Sequence, residues 1–507
     1  MSADAADRLD ARGLTELVLD DGSWQPWEET VPQPLDMDPA YAAALTAARE
    51  RTGLAEAVLC GEGLLRGRRV AVVAGEFGFL AGSVGVAAAE LLVRAVERAT
   101  RERLPLLAAP ASGGTRMQEG TIAFLQMVKI AAAIAAHRAA GLPYLVYLRH
   151  PTTGGVLASW GSLGHVTVAE PGALIGFLGP RVYRALYGEE FPPGVQTADN
   201  LYAKGLVDAV LPPEQIAEMS DRALRVLLAP QEGLPEVPEL PKEQLADTPA
   251  WDSIERSRRP ERPGVRELLR HAARDVTPLH GTGAGESEPG LRLALARFGG
   301  APCVVLGQDR SRQAIGQPLG PAGLREARRG MRLASELHLP LMTVIDTAGA
   351  ALSREAEEGG LAGEIARCLT DLVMLPAPTL CVLLGEGAGG GALALLPADR
   401  VIAAQHGWLS PLPPEGAAAI LHHSVGRAPE LAGQQEVRSL DLLRHGIVDR
   451  IVAERPDAAD EPEAFLDRLA QVLSHELGQL MRRDADELLT ARLARYRRLG
   501  LSTGPLL

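Results

Sequence analysis

Short apolar runs bounded by glycine or proline alternate along the chain with longer amphipathic stretches. Val70-Ala71-Val72-Val73-Ala74-Gly75-Glu76-Phe77 reads as a buried strand entering a glycine turn, and Pro302-Cys303-Val304-Val305-Leu306-Gly307-Gln308-Asp309 repeats that pattern. A basic, helix-like segment follows each. Each segment then meets Leu-Pro-Leu and another apolar run, at Leu104-Pro105-Leu106 and at Leu339-Pro340-Leu341, 235 residues apart. Strands alternating with helical patterns of about 10–15 residues predict an α/β architecture built from strand–helix units.

The repetition continues. One strand ends in Ala111-Ser112-Gly113-Gly114, its counterpart in Asp346-Thr347-Ala348-Gly349-Ala350. Pro143 to Leu148 and Pro378 to Leu383 again stand 235 apart and run into Thr152-Thr153-Gly154-Gly155-Val156 and Gly389-Gly390-Gly391-Ala392. Lys204-Gly205-Leu206-Val207-Asp208 echoes His445-Gly446-Ile447-Val448-Asp449 at an offset of 241. Alanine and glycine bias makes any two stretches look alike, but it does not order five landmarks at nearly one spacing. The chain is therefore expected to hold two tandem domains, residues 1–245 and 246–507, related by internal duplication. A proline-rich segment from Gly233 to Gly264 reads as the linker, with a basic end (Arg256, Arg258, Arg259, Arg262) suited to capping a surface. His280 to Ser287 reads as a loop. The charged, helical stretch from Pro462 onward reads as a packing or oligomer helix.

Composition narrows the classes. The 507 residues are 46% hydrophobic and 23% charged, ordinary for globular chains and unlike disordered ones. A net charge of −13 argues against a general nucleic-acid binder. Cys60, Cys303, Cys368 and Cys381 form no C-x-x-C pair and no zinc spacing, and so few cysteines fit a reducing compartment. The first residues lack a basic-then-apolar leader, and Ile130 to Leu148, the nearest approach to a membrane-length run, is broken by His137 and Arg138. The expectation is a cytoplasmic protein without a metal, a membrane or a nucleic acid.

The glycine clusters carry the candidate chemistry. Gly154-Gly155 precedes the helical pattern Val156 to Trp160, and Gly390-Gly391-Ala392 precedes Leu393 to Leu396. A helix start presents unsatisfied backbone N–H groups, and glycine lets a ligand reach them. Two N–H groups on one oxygen would stabilise an oxyanion, each worth a factor of about 10²–10³. Tight turns or close packing explain a single glycine cluster equally well. Phosphate binding is disfavoured: Gly385 to Gly391 lacks the Gly-Lys-Ser/Thr ending of a P-loop, and its formal Gly-x-Gly-x-x-Gly lacks the acidic partner of a dinucleotide site. No Gly-x-Ser-x-Gly elbow occurs, and Ser83 and Ser112 have no placed histidine.

At these residues the sequence resembles the carboxyltransferase component of biotin-dependent acyl-CoA carboxylases, of the crotonase superfamily. The first half resembles the acetyl-CoA carboxylase β subunit through Phe77 to Gly85, Ser112-Gly113-Gly114-Thr115-Arg116-Met117-Gln118-Glu119-Gly120, Pro151 to Val156 and Ala169 to Phe177. The second resembles the α subunit through Val344 to Ala350, Gly385 to Leu395 and Pro413 to Leu421. The β subunit's four-cysteine ribbon has no counterpart here. Asp346-Thr347-Ala348-Gly349 replaces Asp-Thr-Pro-Gly, and Gly320 to Ala327 loses charges the family usually carries there.

The resemblance implies two crotonase-like (β-β-α superhelix) domains, and a site shared between the first domain of one protomer and the second of another. N–H groups matching Gly154 and Gly155 would hold the thioester enolate oxygen of acyl-CoA; those matching Gly391 and Ala392 would hold the ureido oxygen of carboxybiotin. Ser112, Gly113, Gly114, Arg116, Gly390 and Ala394 would contact substrate. In the family's chemistry carboxybiotin releases CO2, the biotin anion takes the α-proton, and the enolate attacks CO2, so the base is the cofactor. Biotin would arrive on a separate carrier protein charged by biotin carboxylase, no metal would be bound, and the chain would form a homo-oligomer, a dimer at least or a hexamer. Ala394, where propionyl-type enzymes often carry an acid, points to acetyl-CoA giving malonyl-CoA. A propionyl-CoA or unusual acyl-CoA carboxylase, a reverse-direction decarboxylase subunit and a non-catalytic scaffold are the alternatives. Arg116 reads as a loop anchor or CoA-phosphate contact, or as an ordinary salt bridge. Glu415 reads as capping or orienting a helix start, and Asp346 as a helix N-cap.

Overall fold

The computed structural model describes residues 8–27, 37–229, 240 and 245–500. They divide into two compact units, Met1–Leu224 with Gly283–Gly285, and Arg225–Thr282 with Glu286–Leu507. In the first, Gln25–Pro26, Val58–Leu65, Arg68–Gly75, Leu106–Ala109, Tyr144–Leu148, Val166–Ala169 and Ala209–Val210 line up in that order in one sheet. The first three run antiparallel and the rest parallel. In the second unit, Ala273–Leu279, Leu291–Phe298, Ala301–Gln308, Leu341–Thr347, Thr379–Ala388, Arg400–Ala404 and Arg450–Val452 repeat the same order and senses. The duplication read in the sequence is thus a duplication of topology. Even single backbone bridges repeat: Val84 pairs with Thr115 and Leu319 with Ala350, each partner displaced by 235.

The parallel strands are apolar throughout because helices cover them. Val86–Arg101 buries Leu92, Val93 and Val96 together with five alanines, small enough to let the helix lie close to the sheet. Its first turn is capped from a distance, Glu119 Oε2 accepting from Val86 N at 2.6 Å. The corresponding helix of the second unit, Pro321–Glu336, is capped by Glu288, whose carboxylate accepts from the N–H groups of Gly320 and Gly323. Of the two helices in the charged stretch from Pro462 onward, Pro462–Leu480 is a packing helix: Phe465, Leu466, Leu469, Leu473 and Leu477 join Met342, Val344, Val382 and Ile402 in the second core.

Two expectations change here. The basic end of the proline-rich segment is no surface cap but part of the second unit. Arg262 is 3% exposed and paired with Glu454 at 2.5 Å, while Arg259 pairs with Asp457 at 3.1 Å. Residues 233–239 and 241–244 of that segment lie outside the described residues. Second, Met117–Ala139 does have the length and apolarity to cross a membrane. Its helix, Gly120–Ala139, buries Ala123, Met127, Ile130, Ile134 and His137 in the first unit and exposes Ile122, Phe124, Leu125 and Val128 on the other side.

His137 gives this packing a pH signature. The ring is fully buried, with Nδ1 2.9 Å from Thr100 Oγ1 and Nε2 3.3 Å from the Pro143 carbonyl, and burial pushes its pKa from 6.5 down to about 4. The unfolded chain therefore binds the proton more readily than the folded one. The stability present above pH 6.5 should decline as pH falls toward 4, by about 3 kcal/mol in all. Denaturant unfolding of the parent and a His137→Gln variant at pH 7 and pH 4.5 checks this; equal pH dependence in both would refute it.

Candidate functional site

The strand Leu106–Ala109 leaves the first sheet and turns at Ser112, whose Oγ donates to Gly82 O at 2.5 Å and accepts from Gly114 N at 3.0 Å. Gly113 N donates to Ala81 O, and Gly114 has φ +114°, a conformation glycine alone adopts cheaply. These bonds hold the loop so that Val84 N donates to Gly114 O and Arg116 N to Val84 O, both at 3.0 Å. The N–H between them, on Thr115, has no acceptor among the described residues. Thr153 N is tied to Ser112 O at 2.9 Å, which docks the next turn against this loop. Gly154 opens the short helix Gly154–Val156 with φ +62°. Its own N–H donates to Phe177 O at 2.9 Å, so Gly154 is not available as a donor to a ligand. Gly155 N, like Thr115 N, has no acceptor among the described residues. The two lie close: a β-carbon on Gly155 would stand 3.1 Å from Thr115 Oγ1, and one on Gly114 would stand 3.9 Å from Gly155 N.

The second unit builds the same device. Thr347 Oγ1 accepts from Gly349 N at 3.1 Å, Gly349 has φ +141°, and Ala351 N donates to Leu319 O. The helix Gly389–Leu393 opens on Gly389 with φ +63°, 235 residues after Gly154, so Gly389 and not Gly390 is the counterpart of Gly154 and the helix begins ahead of the Leu393–Leu396 stretch the sequence pattern predicts. Ala350 N, Gly390 N and Gly391 N have no acceptor among the described residues. A β-carbon on Gly391 would come within 3.1 Å of Ala350 N, so glycine is what lets helix and loop approach. Gln308, fully buried at the end of its strand, locks the pair: its Nε2 donates to Gly391 O at 2.7 Å and its Oε1 accepts from Asp346 N at 3.0 Å. Asp346 is therefore a strand residue and not an N-cap. Its carboxylate accepts from Glu386 N and pairs with Arg310, while burial pushes its pKa up.

A family model described as the carboxyl transferase domain matches residues 5–485. The chain belongs to the carboxyltransferase family. It is 61% identical over 494 residues to a probable biotin-dependent acyl-coenzyme A carboxylase beta3 subunit of Mycobacterium tuberculosis, a match covering 97% of this chain and 99% of that one. It is 38% identical over 525 residues to the acetyl-coenzyme A carboxylase carboxyl transferase subunits beta/alpha of Salinispora arenicola, covering 98% and 92%. The crystal structure of transcarboxylase 12S, with methylmalonyl-coenzyme A and methylmalonic acid bound, superposes with a TM-score of 0.72 over 92% of this chain and 90% of that one at 20% identity. The fold is thus the duplicated crotonase-like one, and the chain is an enzyme of biotin-dependent carboxyl transfer to acyl-CoA.

Within this carboxyltransferase, two expected substrate contacts are placed elsewhere by the geometry. Arg116 is fully buried, with Nη2 3.0 Å from Glu56 Oε2 and 2.7 Å from Ser83 O, and Nη1 3.3 Å from Tyr41 Oη. Burial opposes its charge, the Glu56 carboxylate outweighs that, and the guanidinium is held above its usual pKa. Tyr41 Oη donates to Glu119 at 2.5 Å, and burial with this carboxylate pushes the phenol to about 12. Arg116 thus anchors the loop from inside, out of a ligand's reach. Ala394 is also fully buried, its N–H bound to Gly390 O, so it acts only through packing. Ala392, also fully buried, stands in the same first turn. Glu415 orients its helix start as expected, held by Arg258 at 2.5 Å. Thr115, Ala350 and Gln308 escape sequence reasoning. For Gln308 a signal exists, a lone amide ending an apolar strand; a backbone N–H leaves none. Among the described residues no group of three or more His, Cys, Asp or Glu could hold a metal.

Proposed function

We propose that the chain moves a carboxyl group from biotin on a separate carrier protein to the α-carbon of a short acyl-CoA, acetyl-CoA giving malonyl-CoA. What carries this reading is a pair of unengaged N–H groups that occurs twice, Thr115 with Gly155 and Ala350 with Gly390, each partner displaced by 235 residues, with Gly391 N beside the second pair. Each pair sits in a cradle that a side chain would fill, and each fits a single oxygen that gains negative charge. The first pair takes the thioester oxygen, stabilising the enolate left when the α-proton departs. The second takes the ureido oxygen of the biotin ring. Carboxybiotin supplies the carboxyl group and, once discharged, the base. Gly154 and Ala392 shape these turns, and the Ser112 and Thr347 hydroxyls hold the loops so the donors need not reorganise during reaction.

Biotin carboxylase and the biotin carrier are the proposed protein partners. A homo-oligomer, a dimer at least, is proposed from the exposed face of Gly120–Ala139, where Phe124 (62% exposed), Ile122, Leu125 and Val128 form an apolar patch that a second copy would cover. The test is reverse transfer with purified protein and biocytin, comparing malonyl-CoA with methylmalonyl-CoA. Biocytin-dependent acetyl-CoA from the former is expected. Faster turnover of methylmalonyl-CoA would replace the acetyl assignment, and no turnover of either by a folded oligomer would overturn the reading.

A further inference from the structure

The second unit carries a cleft of about 450 Å³ that the proposed reaction does not use. Its walls are Arg400, Arg450 and Arg483 with His475, Glu476 and Gln479. Arg400 and Arg450 are the first residues of the parallel strands Arg400–Ala404 and Arg450–Val452. The glycine turns follow the carboxyl ends of Leu341–Thr347 and Thr379–Ala388, so the cleft lies at the opposite end of this sheet. Helix Pro462–Leu480 supplies its other wall through His475, Glu476 and Gln479.

Three arginines and one carboxylate line the cleft, in a chain whose net charge is −13. Glu476 is shared, with Oε1 2.8 Å from Arg450 Nε and Oε2 3.8 Å from Arg400 Nε, and Asp449 stands 3.6 Å from Arg400. Neither acid reaches Arg483, which has no ion-pair partner among the described residues. A second observation is independent of the charge count. His475 is 8% exposed and its Nδ1 is buried without any hydrogen-bond partner. Such a group is costly to leave unmade, and the residue that carries it lines the cleft.

We propose that this cleft binds a small, multiply charged molecule through a phosphate group. A planar arginine fork can bond two oxygens of a tetrahedral phosphate at once, a partly enclosed cleft concentrates the arginines' field, and the volume suits a ligand of metabolite size. The site needs no part of the carboxyl-transfer reading and stands or falls separately.

Inorganic pyrophosphate is the probe, titrated calorimetrically into the full chain with ionic strength held constant by chloride. One saturable site is expected in the parent, weakened at least about tenfold by Arg483→Glu and by His475→Phe. Arg483 is exposed, so its variant tests the site without risk to the core; circular dichroism verifies both folds. CoA, which carries its own phosphates, is titrated in parallel. Competition with pyrophosphate, together with weaker CoA binding in the variants, would make CoA the source of the phosphate. Pyrophosphate binding that CoA leaves untouched would make it a separate metabolite. No saturable binding in the parent, or equal affinity in the variants, overturns the proposal.

Discussion

A Gly155→Val chain should fold as the parent does and transfer carboxyl groups at least about 100-fold more slowly, the cost of one oxyanion donor. The position separates chemistry from strain. Gly154 has φ +62°, so a substitution there would disturb the backbone itself, whereas Gly155 does not adopt a left-handed conformation. A β-carbon at Gly155 meets Met127 Cγ at 3.0 Å and Thr115 Oγ1 at 3.1 Å. Met127 is an unbranched, adaptable side chain that can give by a few tenths of an ångström. The valine methyl groups would then occupy the space above the Thr115 and Gly155 N–H groups, where the thioester oxygen is to sit. Reverse transfer from malonyl-CoA with thermal unfolding in parallel is the measurement. Near-parental turnover by a folded variant would remove Gly155 from the mechanism.

The second large effect concerns Arg116. Glu56→Leu leaves a fully buried guanidinium with the Tyr41 hydroxyl, the Ser83 hydroxyl and carbonyl, the Phe79 ring and, as its nearest carboxylate, Glu119 at 3.8 Å. Breaking a buried pair in this way costs about 3–5 kcal/mol, on the order of 10 °C in the unfolding of a domain this size. Removing both charges, Arg116→Met with Glu56→Leu, should return most of that stability because neither ion then has to be desolvated. It should not return full transfer, since the 112–119 loop would lose the anchor that sets the Thr115 N–H. Unfolding midpoints of the two variants and the parent decide it; an unchanged midpoint in Glu56→Leu would show the pair to be expendable.

The topology was readable because buried parallel strands and glycine turns repeat at a fixed spacing. That spacing survives down to the Val84–Thr115 and Leu319–Ala350 bridges and to the φ values of Gly154 and Gly389. The counterpart of Gly154 was misplaced by one residue because Gly389-Gly390-Gly391 offers three equivalent glycines in the sequence, while only the first has a left-handed φ. Arg116 looked like a ligand contact because a lone arginine in a glycine loop usually faces solvent. Glu56 and Tyr41, far away in sequence, supply the partners that bury it. Thr115 and Ala350 stand out only by an unengaged backbone N–H, a group every residue but proline possesses, so no composition reveals them.

The repeated turn also bears on how such a chain could diverge. Where one backbone geometry is present twice, the hydrogen-bonded frame of each copy is under the same constraint, but the side chains above it are not. Over the first turn stand the side chains of Met127 and Thr115, flexible and partly polar; over the second stands that of Ile365, against Gly390, branched and apolar. Each half could therefore drift toward its own ligand by exchanging a wall residue, with the hydrogen-bonded frame inherited intact.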